Sequence, residues 1–300
     1  MTSPTLARPP WLDGKLFPFQ SRAIDIDGNL LHYVDEGSGP TLLFLHGNPT
    51  WSFLYRHIIR RLSGRFRCLA VDYPGFGLSV ARPGYSFKPR EHSAVLEKFV
   101  AALDLRDIGL MVQDWGGPIG LGVAGRNPGR IRALFICNTW AWPAQEARQL
   151  KWFSRIAGSA VARFFILNFN AFVNLVIPSG ISRHLSPAEM RAYRCPFPTR
   201  ASRMPTAVFP REILHSRTYL AEVEANLARL RDKPALILWG DRDTAFKESE
   251  RRRFEGIFTN HHTRVLKGAR HFVQEDAPDQ ICDEIEASYD VASHERITKR

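Results

Sequence analysis

Short continuous apolar runs alternate with segments of helical periodicity along much of the chain. TLLFLH (41–46) is unbroken, as expected of a strand buried on both faces. After it, Phe53, Leu54, His57, Ile58 and Leu62 fall on one helical face. RCLAVD (67–72) reads as the next strand, ended by the turn-rich YPGFG. Val95, Leu96, Phe99, Val100 and Leu103 form a second helical stripe. IGLMV (108–112) then reads as strand, GGPIGLGVAGR (116–126) as a closely packed helix and IRALFIC (131–137) as strand. This alternation predicts an α/β fold with a mostly parallel, doubly wound sheet.

The rhythm stops near Thr139. As far as Leu227 the chain offers helix-like, aromatic-rich segments without convincing strands, first crowded with Trp140, Trp142, Trp152, Phe153, Phe164, Phe165, Phe169 and Phe172, then punctuated by Pro187, Pro196, Pro198, Pro205 and Pro210. It resumes with ALILWG (235–240) and TRVLKG (263–268). The expected division is a core of 1–138 and 228–300 with a helical cap of 139–227 inserted between two sheet strands.

Composition changes this picture little. With 300 residues, 44% hydrophobic and 24% charged, the chain suits a globular core with an insertion. The net charge of +11 is scattered over the chain and comes with no nucleic-acid motif, so a solvated basic surface is expected and no nucleic-acid partner. The most apolar stretch, 164–178, is shorter than a membrane span and is interrupted by Asn168, Asn170 and Asn174. A buried helix pair is expected there, and no membrane partner. Residues 1–10 read as no secretory signal. Cys68, Cys137, Cys195 and Cys282 have no metal-ligand spacing, which points to a reducing, cytoplasmic compartment and no metal site.

Candidate chemistry centres on VQDWGG (112–117), between a strand and a helix. That is the setting of a nucleophile elbow, with small Gly116 and Gly117 around the turn and Asp114 at its tip. A carboxylate at that position attacks an sp³ carbon, displaces a leaving group and becomes an alkyl ester. An Asp at a helix start is also an ordinary cap, so the reading depends on its partners. His271, in KGARHFVQEDAP just past the last predicted strand, is the expected base that hydrolyses the ester. Asp243, in GDRDTAF after ALILWG, is the expected acid that orients it, with Asp241 as rival. The order nucleophile, acid, histidine is that of the α/β hydrolases. HGNPT (46–50) and the Trp115 N–H supply backbone donors for an oxyanion, while the Asn48 amide and Trp115 indole are neutral donors suited to a departing halide. His46 reads as a structural residue that holds the loop.

At these residues the chain resembles the haloalkane dehalogenases, from about Phe17 to Ile285. HGNPTWSFLYR (46–56), DYPGFGLS (72–79), QDWGGPIG (113–120), AYRCPFP (192–198) and HFVQEDAPD (271–279) carry the resemblance. It implies an α/β-hydrolase fold with Asp114 as nucleophile, His271 as base and Asn48 with Trp115 as the halide pair. One subgroup of the family has a Glu acid after the strand that here ends IRALFIC. This chain has Asn138 there and Asp243 after the later strand, an Asp–His–Asp and Asn–Trp arrangement that resembles the third subfamily. The resemblance further implies a cap Phe and Pro near the halide, matched by Phe172 and Pro210, and self-association into a homo-oligomer. The implied reactants are a small halogenated aliphatic substrate and water, the products an alcohol and halide, with no cofactor. Two rivals stand beside it. An epoxide hydrolase shares the Asp nucleophile and needs two cap tyrosines, for which Tyr193 and Tyr219 are available. A non-catalytic ligand-binding protein of the same fold would not need the complete set of Asp114, His271 and Asp243.

Overall fold

The computed structural model describes residues 5–144 and 147–298. In chain order the elements are β1 (Arg22–Ile26), β2 (Asn29–Glu36), β3 (Thr41–Leu45), α1 (Arg56–Leu62), β4 (Arg67–Val71), α2 (Pro89–Ala102), β5 (Ile108–Asp114), α3 (Gly116–Arg126) and β6 (Ile131–Thr139). Then follow α4 (Arg148–Ala157), α5 (Ala160–Phe169), α6 (Ala171–Ser179), α7 (Pro187–Arg194), α8 (Met204–His215), α9 (Arg217–Leu227), β7 (Ala235–Gly240), α10 (Glu248–Ile257), β8 (His261–Leu266), α11 (Val273–Asp276) and α12 (Pro278–Thr298).

The strands form one eight-stranded sheet in the order β1-β2-β4-β3-β5-β6-β7-β8. From β4 to β8 every pairing is parallel, and β2 joins antiparallel to both β1 and β4. The central strands are buried along nearly their whole length because helices cover both faces, which is why they read as unbroken apolar runs. The edge strand β8 carries His261, His262 and Arg264 outward, as an unpaired edge favours.

The β1–β2 hairpin lies before the region whose periodicity predicted strands. Its signal is local: Asp27 and Gly28 both adopt positive φ, +53° and +77°, and close a two-residue turn between Ile26 and Asn29. Asp-Gly is a favoured pair for that turn.

Between β6 and β7 the chain is helical, as the loss of strand rhythm predicts. Helices α4 and α8 pack together, and α5, α6 and α8 enclose a small separate core of Ile166, Leu167, Phe172 and Ala207. Helix α9, the last in this stretch, lies instead along α3 of the sheet layer, and its Tyr219 hydroxyl donates to the Pro118 carbonyl at 2.8 Å. The expectation of a buried helix pair near 164–178 needs correction. Helices α5 and α6 form a pair bent by 93° at Asn170, but Phe164, Phe165, Phe169 and Leu175 are exposed. Asn170 marks the bend, Asn168 the last turn of α5, and Asn174 lies within α6. No single helix among the described residues is long and apolar enough to cross a membrane.

A buried charge cluster joins the helical insertion to the core. Arg56, at the start of α1, reaches Glu275 of α11 at 2.6 Å and Glu189 of α7 at 2.7 Å. Arg183 pairs with both carboxylates, and the Tyr193 hydroxyl donates to Glu275.

Candidate active site

The site sits beyond the carboxyl ends of β3, β5, β6 and β7, where an open α/β sheet places its ligands. Asp114 ends β5 with φ +50°, a strained conformation for a residue with a side chain, which turns the chain directly into α3. The turn is tight enough to require glycine on both sides. A Cβ on Gly116 would overlap the Leu45 carbonyl, and one on Gly47 would overlap the Asp114 carboxylate.

The two carboxylate oxygens of Asp114 have different surroundings. Oδ1 accepts the Asn48 backbone N–H at 2.7 Å, and the Trp115 N–H also donates to the carboxylate. Oδ2 faces His271 Nε2 at 3.7 Å. Burial raises the Asp114 pKa, partly offset by His271 and the Trp115 and Asn48 N–H groups. The carboxylate is therefore poorly hydrated and held by fixed backbone donors.

His271 Nδ1 lies 2.9 Å from Asp243 Oδ2. Asp243 is buried, accepts the Ala245 N–H at 2.6 Å, and accepts the Asn138 amide at 2.9 Å. Burial alone would raise its pKa, but His271 and these donors outweigh burial and hold it low. Burial likewise depresses His271, yet Asp243 and then Asp114 raise it above the ordinary histidine value of 6.5. With Nδ1 donating to Asp243, Nε2 is the acceptor nitrogen. The Gln113 amide stands 3.0 Å from it and also donates to the His271 carbonyl.

A cavity of about 350 Å³ opens over these groups. Asn48, Asp114, Trp115, Phe172, Pro210, Asp243 and His271 all line it, so the seven residues singled out from the sequence meet in one place. Trp115 is wedged edge-on against Trp140, with ring centres 4.6 Å apart, and against Phe209 at 5.0 Å. Asn48 sends its amide toward the Thr206 carbonyl of α8 at 3.4 Å. Asp241 is exposed and bonds the Gly268 N–H, leaving the histidine to Asp243. His46 accepts the Tyr73 N–H at Nε2 and donates from Nδ1 to the Gly47 carbonyl, with its pKa lowered to about 4 by burial. A larger cleft of about 430 Å³ between β6, β7, β8 and α12 holds none of these seven.

Gln113, the support that Asn138 gives Asp243, and the Arg56 cluster beside the site were not singled out from the sequence. Gln113 and Asn138 carried a weak signal, each being a polar residue at the end of a buried apolar run.

The chain matches the model of the alpha/beta hydrolase fold family over residues 40–278 and belongs to that family. Within it, the chain is a member of the haloalkane dehalogenases. It is 44% identical over 271 residues to haloalkane dehalogenase 2 of Mycobacterium tuberculosis, covering 90% of this chain and 94% of that relative. A crystal structure of a haloalkane dehalogenase from Bradyrhizobium elkani superposes with a TM-score of 0.81 at 29% identity, covering 88% of this chain and 95% of that one. A cis-3-alkyl-4-alkyloxetan-2-one decarboxylase of Shewanella oneidensis is 31% identical over 283 residues, covering 90% of this chain and 88% of that protein.

Proposed function

We propose that the chain hydrolyses the carbon–halogen bond of small halogenated aliphatic compounds through an alkyl ester on Asp114. The observation that carries this reading is the division of labour on the Asp114 carboxylate, with Oδ1 held by the Asn48 N–H and Oδ2 facing His271. Oδ2 attacks the carbon in line, and halide leaves toward the Asn48 amide and the Trp115 indole. Ester formation removes the Asp114 charge. His271 Nε2, freed from the Gln113 amide, then takes a proton from water that adds to Cγ. The negative charge develops on Oδ1, where the Asn48 N–H already points, with the Trp115 N–H beside it on the carboxylate. Collapse releases the alcohol and regenerates the carboxylate. One water is consumed, and one alcohol, one halide and one proton are formed. These steps use only side chains, backbone donors and water.

Asp243 after β7, with Asn138 near the end of β6, supports placement in the third subfamily and with it a homo-oligomer. We keep the division into a core of 1–138 with 228–300 and a cap of 139–227, with α9 resting on the core. Cys68, Cys137, Cys195 and Cys282 as free thiols support a cytoplasmic enzyme.

The cavity lining argues against epoxide opening. Tyr193 is engaged by Glu275 and Tyr219 by Pro118, and no tyrosine lines the cavity. The oxetanone decarboxylase relative supports a second reading, attack of Asp114 on a strained lactone ring, and the lower identity places it behind the first.

Purified protein should release halide from bromobutane and leave styrene oxide unopened. Asp114→Ala should release none. Halide release that survives in Asp114→Ala would overturn the assignment.

A further inference from the structure

Helices α4 and α5 present large apolar side chains to solvent. Trp152 is 57% exposed and Ile156 65% on α4, and Val161, Phe164, Phe165 and Phe169 are 49–69% exposed along one face of α5. A surface this apolar marks an interaction site. The two helices carry cations and no carboxylates. Between Arg148 and Ala188 the sequence has no Asp or Glu, while Arg148, Lys151, Arg155 and Arg163 lie on the same two helices. Among the described residues none of these four enters an ion pair. Arg163 stands apart from the other three: it is half-buried, falls on the side of α5 that carries Ile166 and Leu167, and donates to the Met204 sulfur at 3.5 Å.

We propose that this face docks on a membrane surface containing anionic phospholipid. Apolar rings flanked by the α4 cations Arg148, Lys151 and Arg155 are the composition of a segment that lies in the interface, the rings among acyl chains and the cations at phosphates. A second copy of the chain fits less well. A two-fold contact sets a patch against itself, which would bring these cations together with no carboxylate to receive them. The face lies on the bilayer rather than through it. Helices of this length cannot span, and Ile166 and Leu167 on the opposite side of α5 are packed into the protein. The expectation of no membrane partner rested on the length of the apolar stretch and its three asparagines, and did not address surface docking.

The docking face continues into the cavity. Phe153, next to Trp152, is 41% exposed and also lines the cavity with Gln149 and Leu150. A docked enzyme would take apolar substrate from the bilayer, where such compounds concentrate; this consequence rests on the proposed dehalogenation, whereas the docking does not.

The test is flotation of the full chain with vesicles of phosphatidylcholine alone or mixed with phosphatidylglycerol. The protein should float with the mixed vesicles and not with phosphatidylcholine, and added salt should weaken binding. Lys151→Glu with Arg155→Glu should lower binding at least tenfold, since each cation near an anionic surface contributes about fivefold. Phe164→Ser with Phe165→Ser should do the same. Both pairs should keep wild-type halide release from a water-soluble bromide without vesicles, which shows that they fold. Failure to float with either vesicle overturns the proposal. So does lipid-free self-association that the same substitutions dissolve, which would assign the face to a second copy. Wild-type protein that floats but releases no halide keeps the docking and overturns only the chemistry.

Discussion

Asp114 and His271 face each other across 3.7 Å, and each changes the other's protonation. Burial raises the Asp114 pKa and His271 lowers it, while Asp243 and Asp114 raise His271 against its own burial. A base must be neutral to take a proton, so turnover should fall with decreasing pH as His271 gains its proton, at a midpoint that Asp243 raises even when the Asp114 charge is lost in the ester. Asp243→Asn removes the larger of the two raising carboxylates and leaves Asp114 in place. Attack on the halide carbon should survive and hydrolysis should not. The expected result is a burst of one halide per site, an alkyl mass adduct on the peptide carrying Asp114, and steady turnover lower by about 10³–10⁴-fold. The residual rate should have its acid midpoint at lower pH than wild type. Rapid-quench halide measurement and peptide mass spectrometry would check it. Loss of the burst together with turnover would show that Asp243 acts on the first step.

Two strand ends converge on the imidazole. Asp243 follows β7 and Asn138 lies near the end of β6, with 2.9 Å between the Asn138 amide and the carboxylate oxygen that receives His271 Nδ1. Asn138 adopts φ +24°, which Asp tolerates nearly as well as Asn. Exchanging the pair, Asn138→Asp with Asp243→Asn, should return the carboxylate to the same neighbourhood from the other strand. Turnover is expected to rise about tenfold over Asp243→Asn alone, a non-additive recovery of the kind contacting residues give. Equal rates in the single and double variants would show that only β7 can present the acid. The same convergence explains what the sequence made legible. Asp114, Asp243 and His271 each terminate or follow an apolar run, so strand rhythm placed them at one edge before any contact was known. Asn48 and Trp115 came with their motifs. Gln113 and the supporting role of Asn138 depend on which side of a twisted strand a polar group faces, and β5 and β6 shift register beside both residues, so alternation could not resolve it. The β1–β2 hairpin escaped because its strands are partly exposed and its evidence is one Asp-Gly turn. The apolar stretch near α5 and α6 misled because composition shows hydrophobicity and says nothing of which face the protein covers.

Across the whole molecule, the charge cluster of Arg56, Arg183, Glu189 and Glu275 links cap to core within a few residues of His271. Its tetrad comes from α1, the segment before α7, α7 itself and α11, separations too long for any local pattern to reveal. Burial opposes ionisation of Glu189, but Arg183 and the Ser186 donors outweigh it and hold its pKa at about 2, below the ordinary 4.5. Glu275 is also buried, and Arg56 and then Arg183 hold it low. A carboxylate whose pKa falls on folding contributes stability that is present above its unfolded value and is lost as pH drops toward its folded one. The cluster should therefore stabilise the protein fully above about 4.5 and progressively less toward about 2. Arg56→Met tests this because it leaves Glu275 buried without its main cation. Breaking such a pair costs about 3–5 kcal/mol, or a melting temperature lower by roughly 5–8 °C for a chain of this size. In the variant Glu275 becomes easier to protonate, so the gap from wild type should narrow as pH falls from the variant's Glu275 midpoint toward the lower one of wild type. Adding Glu275→Gln should recover part of the loss at neutral pH. Calorimetry at neutral and acidic pH would measure both effects. A gap that stays constant with pH would assign the cost to lost packing around the Arg56 side chain rather than to its charge.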